Sequence, residues 1–174
     1  MGYAAGVRDD VMVRPAAPED AEALARIYNE GIEDRVATFE TQPRSAADVR
    51  SWIRGRYPVL VVEEGGEVVG WAASFAYSER ECYAGVAEFS LYVARAARGR
   101  GLGRHLLGAL VGAAAAAGFH KLVAKIFAEN AASLEMVAAA GFRRVGVHLR
   151  HGRLDGAWHD IVVVERLLGD SPAG

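Results

Sequence analysis

The chain has 174 residues, 52% of them hydrophobic and 24% charged, with a formal net charge of -2 and an isoelectric point near 6.2. That composition fits one globular domain with a real core and excludes a protein that coats nucleic acid or a membrane surface through overall positive charge, so any basic site must be local. No apolar run reaches the ~18 residues of a membrane span, and the N-terminus lacks a signal-peptide apolar region; a cytoplasmic protein with no membrane or nucleic-acid partner is expected.

In chain order, "VMVRPA" (11–16) predicts a first strand. A helix follows over 18–34, where Ala21, Leu24, Ile27 and Tyr28 recur at helical spacing and acids crowd the first turn. Gly31 is expected to fray its end, and 35–44 to form a loop or a short extended stretch. Ser45 starts a second helix over 45–56, with Asp48 completing a capping box. From 58 the period becomes two, and strands at 58–64 and 67–77 flank Gly65-Gly66, a two-residue hairpin turn. The lone cysteine, Cys82, admits no intrachain disulfide, which fits a reducing compartment. It is read as a small strand or loop residue, not a nucleophile.

A strand over 86–94 places Ala87, Phe89, Leu91 and Val93 on one face and Glu88, Ser90 and Tyr92 on the other. A glycine-rich turn then opens a helix that stops at Gly118. A strand at 120–128, a short helix capped by Asn130, and two closing strands joined through 153–156 complete the chain. The order β-α-α-β-β-β-α-β-α-β-β implies an α/β (α+β) fold: about seven strands in a mixed, mostly antiparallel sheet, about four helices on its faces, and at least one parallel crossover. One domain spans 11–168, with tails at 1–10 and 169–174. Trp52 and Trp71 read as core.

The stretch "ARAARGRGLGRHLLGAL" (94–110) gathers Arg95, Arg98, Arg100 and Arg104 with Gly99, Gly101 and Gly103. The Gly-x-Gly-x-x-Gly dinucleotide fingerprint fails in either register, and the Walker Gly-x4-Gly-Lys-Ser/Thr pattern is absent. A nucleic-acid patch calls for dispersed basic residues interleaved with aromatics, and this stretch has no aromatic. Two readings remain. One is an anion cradle, in which glycines and the free N–H groups of a helix start meet a phosphate and the arginines add charge. The other is a glycine turn on a solvated basic loop.

The neighbouring residues separate them. "RGRGLG" fits Arg-x-x-Gly-x-Gly between a strand and a helix, and "ENAASLEMVAAAGF" carries an Asn-x-x-Ser helix ending in Gly-Phe. Both resemble the GNAT acetyltransferases. "RPAAPEDAEALARIYNEGIEDRVATFETQP", "AEFSLYV" and "WHD" (158–160) are similar to the phosphinothricin N-acetyltransferase branch, which includes enzymes acting on arsinothricin. The resemblance covers roughly residues 11 to 167.

It implies a GNAT fold, acetyl-CoA as co-substrate, no metal, a homodimer, and N-acetylation of a small acidic amino-acid-like antibiotic, giving resistance. It places the CoA pyrophosphate on the amides around Arg98, Gly99, Arg100, Gly101, Leu102, Gly103 and Arg104. It sets the pantetheine arm beside Leu91, Tyr92 and Val93 and against Asn130 and Ser133. Glu88 is implied as the base, and a desolvated carboxylate on a half-buried strand suits that task. Phe39, Arg80 and Tyr83 are implied to contact the acceptor. Val137 departs from the pattern, standing where this branch usually has histidine and many GNATs have tyrosine, so no proton donor for the leaving thiolate is evident there. His148 and His151 lack a third metal ligand, and Trp158 and His159 suit a structural role. An acetyltransferase for another amine, such as a protein N-terminus or a polyamine, and a non-catalytic acyl-CoA-binding module remain alternatives.

Overall fold

A computed structural model describes residues 10–169, so the expected tails lie almost wholly outside the described residues. The strands are β1 (Val11–Pro15), β2 (Val59–Glu64), β3 (Glu67–Ala76), β4 (Val86–Val93), β5 (Lys121–Phe127), β6 (Arg143–Leu154) and β7 (Ala157–Leu167). The α-helices among the described residues are α1 (Ala21–Asp34), α2 (Ala46–Arg50), α3 (Leu102–Ala116) and α4 (Ala131–Ala139). The strands form one seven-stranded sheet in the order β1-β2-β3-β4-β5-β7-β6. Each neighbouring pair is antiparallel except β4–β5, the parallel crossover that α3 bridges. The expected element order and sheet type are borne out.

Local chemistry accounts for several boundaries. Gly65 and Gly66 both have positive φ, +60° and +84°, as a type I′ hairpin turn requires, and Glu64 pairs with Glu67 across it. Ser45 accepts from the Asp48 N–H while the Asp48 carboxylate accepts from the Ser45 N–H, the capping box read from the sequence. The helix it starts is shorter than expected, because α-helical geometry ends at Arg50 and the chain continues as turns to Tyr57. The β6–β7 turn is also tighter than expected: Arg153 and Leu154 still pair, so the turn is Asp155-Gly156.

Gly31 corrects the sequence reading in the other direction. It does not fray α1, which runs on to Asp34 and ends where Arg35 takes a left-handed φ of 58°. Gly31 instead lets α1 press onto the sheet: an added Cβ would lie 2.6 Å from Cε1 of Tyr92. That ring is wedged between Tyr28 and Trp71, with both ring centroids 4.9 Å away. Trp71 is fully buried and donates its indole N–H to the Leu24 carbonyl at 3.1 Å, tying α1 to β3. Trp52, after α2, joins the same aromatic group. On the opposite face Leu106, Leu107 and Leu110 of α3 are wholly buried, each worth about 1.5–3 kcal/mol of hydrophobic stabilisation.

Gly31→Ala should therefore destabilise the fold. Overpacking costs about 1–3 kcal/mol, against at most ~1 kcal/mol gained from alanine's helix propensity. Thermal unfolding of the variant should show a lower Tm than wild type; an equal or higher Tm would contradict the packing described.

Candidate active site

The parallel ladder between β4 and β5 is short. It pairs Val86 with Lys121, Ala87 with Leu122 and Glu88 with Val123, and then stops, although β4 continues to Val93 and β5 to Phe127. Past Glu88 the two strands part. Ala94 N–H donates to the Val69 carbonyl at 2.8 Å, on the β3 side. Backbone groups alternate along a strand, so the N–H groups of Val93 and Leu91 point the other way, into the gap. A small cavity of about 60 Å³ sits there, lined among others by Ser90, Leu91, Lys125, Phe127, Ser133 and Val137. A larger one of about 670 Å³ runs from Leu91, Tyr92 and Val93 to the starts of α3 and α4.

The far wall of the larger cavity is the glycine-rich turn. Gly99 and Gly101 hold positive φ, +76° and +82°, and bring the main chain to the cavity without a side chain in the way. The N–H groups of Leu102, Gly103 and Arg104 begin α3 and have no acceptor within the helix. Arg98 and Arg104 also line this cavity; Arg100 does not.

The arginines are disposed otherwise than expected. Arg98 donates to Asp34 at 2.5 Å and to the Val93 carbonyl at 3.0 Å. Arg100 pairs with Glu64 at 2.7 Å. Arg95 binds Asp34 at 2.7 Å and Glu33 at 3.3 Å, while its N–H donates to Glu30. Arg104 alone of the four has no ion pair among the described residues. The arginines thus fasten the turn to α1 and β2 and spend most of their charge on carboxylates. Hydrogen bonds from Arg95 and then Arg98 hold the Asp34 carboxyl below the ordinary aspartate value of 3.8.

Asn130 caps α4 as expected, its side-chain oxygen accepting from Ser133 N–H at 3.1 Å, and its amide donates to Val36 at 3.3 Å. Asn130 and Ser133 line both cavities. Tyr92 also lines both, and burial pushes its phenol well above the ordinary range. Val137 is buried in the wall of the smaller cavity, apolar as its sequence position foretold.

Glu88 stands where the ladder ends, but the desolvated carboxylate is not found: its side chain is 29% exposed and Lys125 Nζ lies 3.0 Å from it. The three acceptor candidates are not brought together in either cavity. Phe39 packs on Phe127, with centroids 4.7 Å apart, and over Gly152. Arg80 and Tyr83 are exposed on the β3–β4 connection, the guanidinium 6.0 Å from the ring. Cys82 is exposed beside them and lines neither cavity. His159 stacks on Phe127, while His148 and His151 stack on each other. No cluster of metal-ligating side chains occurs among the described residues.

Two site residues escaped the sequence reading. Asp34 carried a signal: Glu33 and Asp34 end a helix where the macrodipole disfavours acids, so cationic partners were called for. Lys125 carried another, as a lone charge inside the apolar strand "LVAKIF".

Comparison with known proteins agrees with this geometry. Residues 24–142 match the acetyltransferase (GNAT) family. A phosphinothricin N-acetyltransferase of Streptomyces coelicolor is 35% identical over 166 residues, 91% of this chain and 97% of the relative. An L-methionine sulfoximine/L-methionine sulfone acetyltransferase of Pseudomonas aeruginosa is 34% identical over 158 residues, 88% of this chain and 92% of the relative. The crystal structure of a GNAT superfamily phosphinothricin acetyltransferase from Sinorhizobium meliloti in complex with AcCoA matches with a TM-score of 0.88 at 32% identity, covering 95% of this chain and 92% of that one. A parted β4–β5 pair, a glycine turn at a helix start and these relatives lead to one conclusion: the chain belongs to the GNAT family and is an N-acetyltransferase.

Proposed function

We propose that the enzyme transfers the acetyl group of acetyl-CoA to the α-amino group of a small acidic amino-acid-like compound of the phosphinothricin, arsinothricin or methionine sulfoximine type, and so confers resistance to such an antibiotic. The observation that carries this reading is the parting of β4 and β5, which leaves the Leu91 and Val93 amides free beside a cavity that ends on the α3 N-terminus. The names of the relatives support the acceptor class.

In this reading the CoA pyrophosphate rests on the N–H groups from Arg98 to Arg104, aided by the positive end of the α3 dipole. The pantetheine arm extends along Leu91, Tyr92 and Val93, with Asn130 and Ser133 across from it. The Val93 N–H donates to the thioester carbonyl and stabilises the oxyanion as the amine adds. Only a free amine attacks, so Glu88 takes the ammonium proton directly or through water. The C–N bond forms, the C–S bond breaks, and CoA departs as thiolate. A thiol with a pKa of about 8.5 leaves without a strong acid beside it, which accommodates Val137. The family resemblance, not the cavity lining, assigns the acceptor side to Phe39 and the acceptor's anionic end to Arg80 and Tyr83. The exposed position of Cys82, away from both cavities, favours direct transfer over a covalent relay.

Thiol release from acetyl-CoA with a panel of amines tests the acceptor class. Phosphinothricin, arsinothricin or methionine sulfoximine should be turned over, and turnover of polyamines or peptide N-termini alone would overthrow the assignment. Glu88→Gln should lower kcat by about 10²-fold or more with little change in KM for acetyl-CoA; a wild-type kcat would remove Glu88 as the base.

Asp34→Asn should raise KM for acetyl-CoA more than it lowers kcat, since the loosened turn no longer presents its amides in register. Its stability deficit should follow pH as well. The folded Asp34 value lies below the ordinary one, so its contribution is present above about pH 4 and fades as pH falls through the lower, folded value. Denaturation of both proteins should therefore differ at pH 7 and converge at strongly acidic pH; a pH-independent gap would contradict the ion pairing.

A further inference from the structure

Lys125 has no part in the mechanism just given, yet it is among the residues that line the cavity at the parted strands. It lies two residues beyond Val123, the partner of Glu88 in the ladder, so both side chains project from the same face of the sheet. Tyr92 and Ser90 lie on that face too, the one covered by α1 and opposite α3. The Lys125 ammonium and the Glu88 carboxylate meet at 3.0 Å, with 46% and 29% of their side chains exposed.

We propose that Glu88 and Lys125 together receive the zwitterionic head group of the acceptor, Glu88 taking the α-ammonium and Lys125 the α-carboxylate, and that the enzyme thereby selects free α-amino acids over amines without a carboxylate. The proposal rests on the acceptor class given above and deepens it. An α-amino acid carries its two charges on one carbon, so it calls for two opposite charges side by side, which this pair supplies at the end of the ladder. A solvent-exposed ion pair contributes little to stability, so the substrate separates it at small cost and leaves neither charge unpartnered. Lys125 also keeps the acceptor's carboxylate away from the Glu88 carboxylate, a repulsion that would otherwise oppose binding beside the base. An amine bearing only positive charge must compete with Lys125 for Glu88 and finds the ammonium hostile.

The test compares kcat/KM for methionine sulfone with that for its α-carboxamide, in wild type and in Lys125 variants. The wild-type ratio should favour the free acid by about tenfold or more, the scale of a lost hydrogen bond to a charged group. The amide has the less basic amine and so the larger free-amine fraction, which biases the comparison against the proposal. In Lys125→Met the ratio should fall toward one through a higher KM for the acid, and Lys125→Arg should restore most of it. A wild-type ratio near one overturns the proposal without any variant, so misfolding of Lys125→Met cannot shelter it. An unchanged ratio in folded Lys125→Met also overturns it. If free amino acids are acetylated and the ratio fails, the proposal falls and the acceptor class stands; if only polyamines or peptide amines are acetylated, the acceptor class falls as well.

Discussion

The backbone hydrogen bonds that β4 and β5 do not make govern the rest of the site. Parallel strands in a sheet interior ordinarily pair along their shared length, because an unsatisfied amide away from water is costly. Here the ladder ends at Glu88 and Val123 while both strands continue. The amides of Leu91 and Val93 are left to whatever enters the gap. An extended ligand with its own carbonyl groups is the natural partner, and in the reading proposed above the Val93 amide meets the thioester carbonyl there. The apolar core holds β4 from both faces. Tyr92 is clamped between Tyr28 and Trp71 on one face, and Leu91 and Val93 lie close over Gly103 of α3 on the other.

A second constraint is electrostatic. Glu30, Glu33 and Asp34 crowd the end of α1, where the helix dipole disfavours negative charge. Arg95 and Arg98 compensate them from across the cavity mouth. The exchange fixes the glycine-rich turn, whose positive φ values would otherwise give it wide freedom. It also accounts for how a slightly acidic chain gathers four arginines in one stretch: most of that charge is already paired. Arg104 is the one arginine of the set carrying no ion pair among the described residues.

Much of this was legible in the residues. Period-two runs and the Gly65-Gly66 turn located the sheet, Ser45, Asp48 and Asn130 marked helix starts, and Arg-x-x-Gly-x-Gly located the cradle. These signals are local, fixed by backbone preferences within a few residues. What the sequence hid depends on long-range partners. Gly31 reads as a helix breaker until Tyr92 is seen against it. The Arg98 side chain reads as unpaired charge until Asp34 is seen beside it. Glu88 reads as a desolvated base until its exposure and Lys125 are known. Arg80 and Tyr83 lie in a connection whose course no periodicity records, and they sit apart from both cavities. The acceptor side is accordingly the part of the site that the sequence described least well.

Direct acetyl transfer across the β4–β5 gap is most squarely tested by following a labelled acetyl group. With [1-¹³C]acetyl-CoA and methionine sulfoximine, mass spectrometry and NMR should find the label on the α-nitrogen of the product in a single turnover, with none on the protein. Label on Cys82 or another side chain ahead of product would contradict direct transfer, and label on no amino acid at all would contradict the function assigned to the gap.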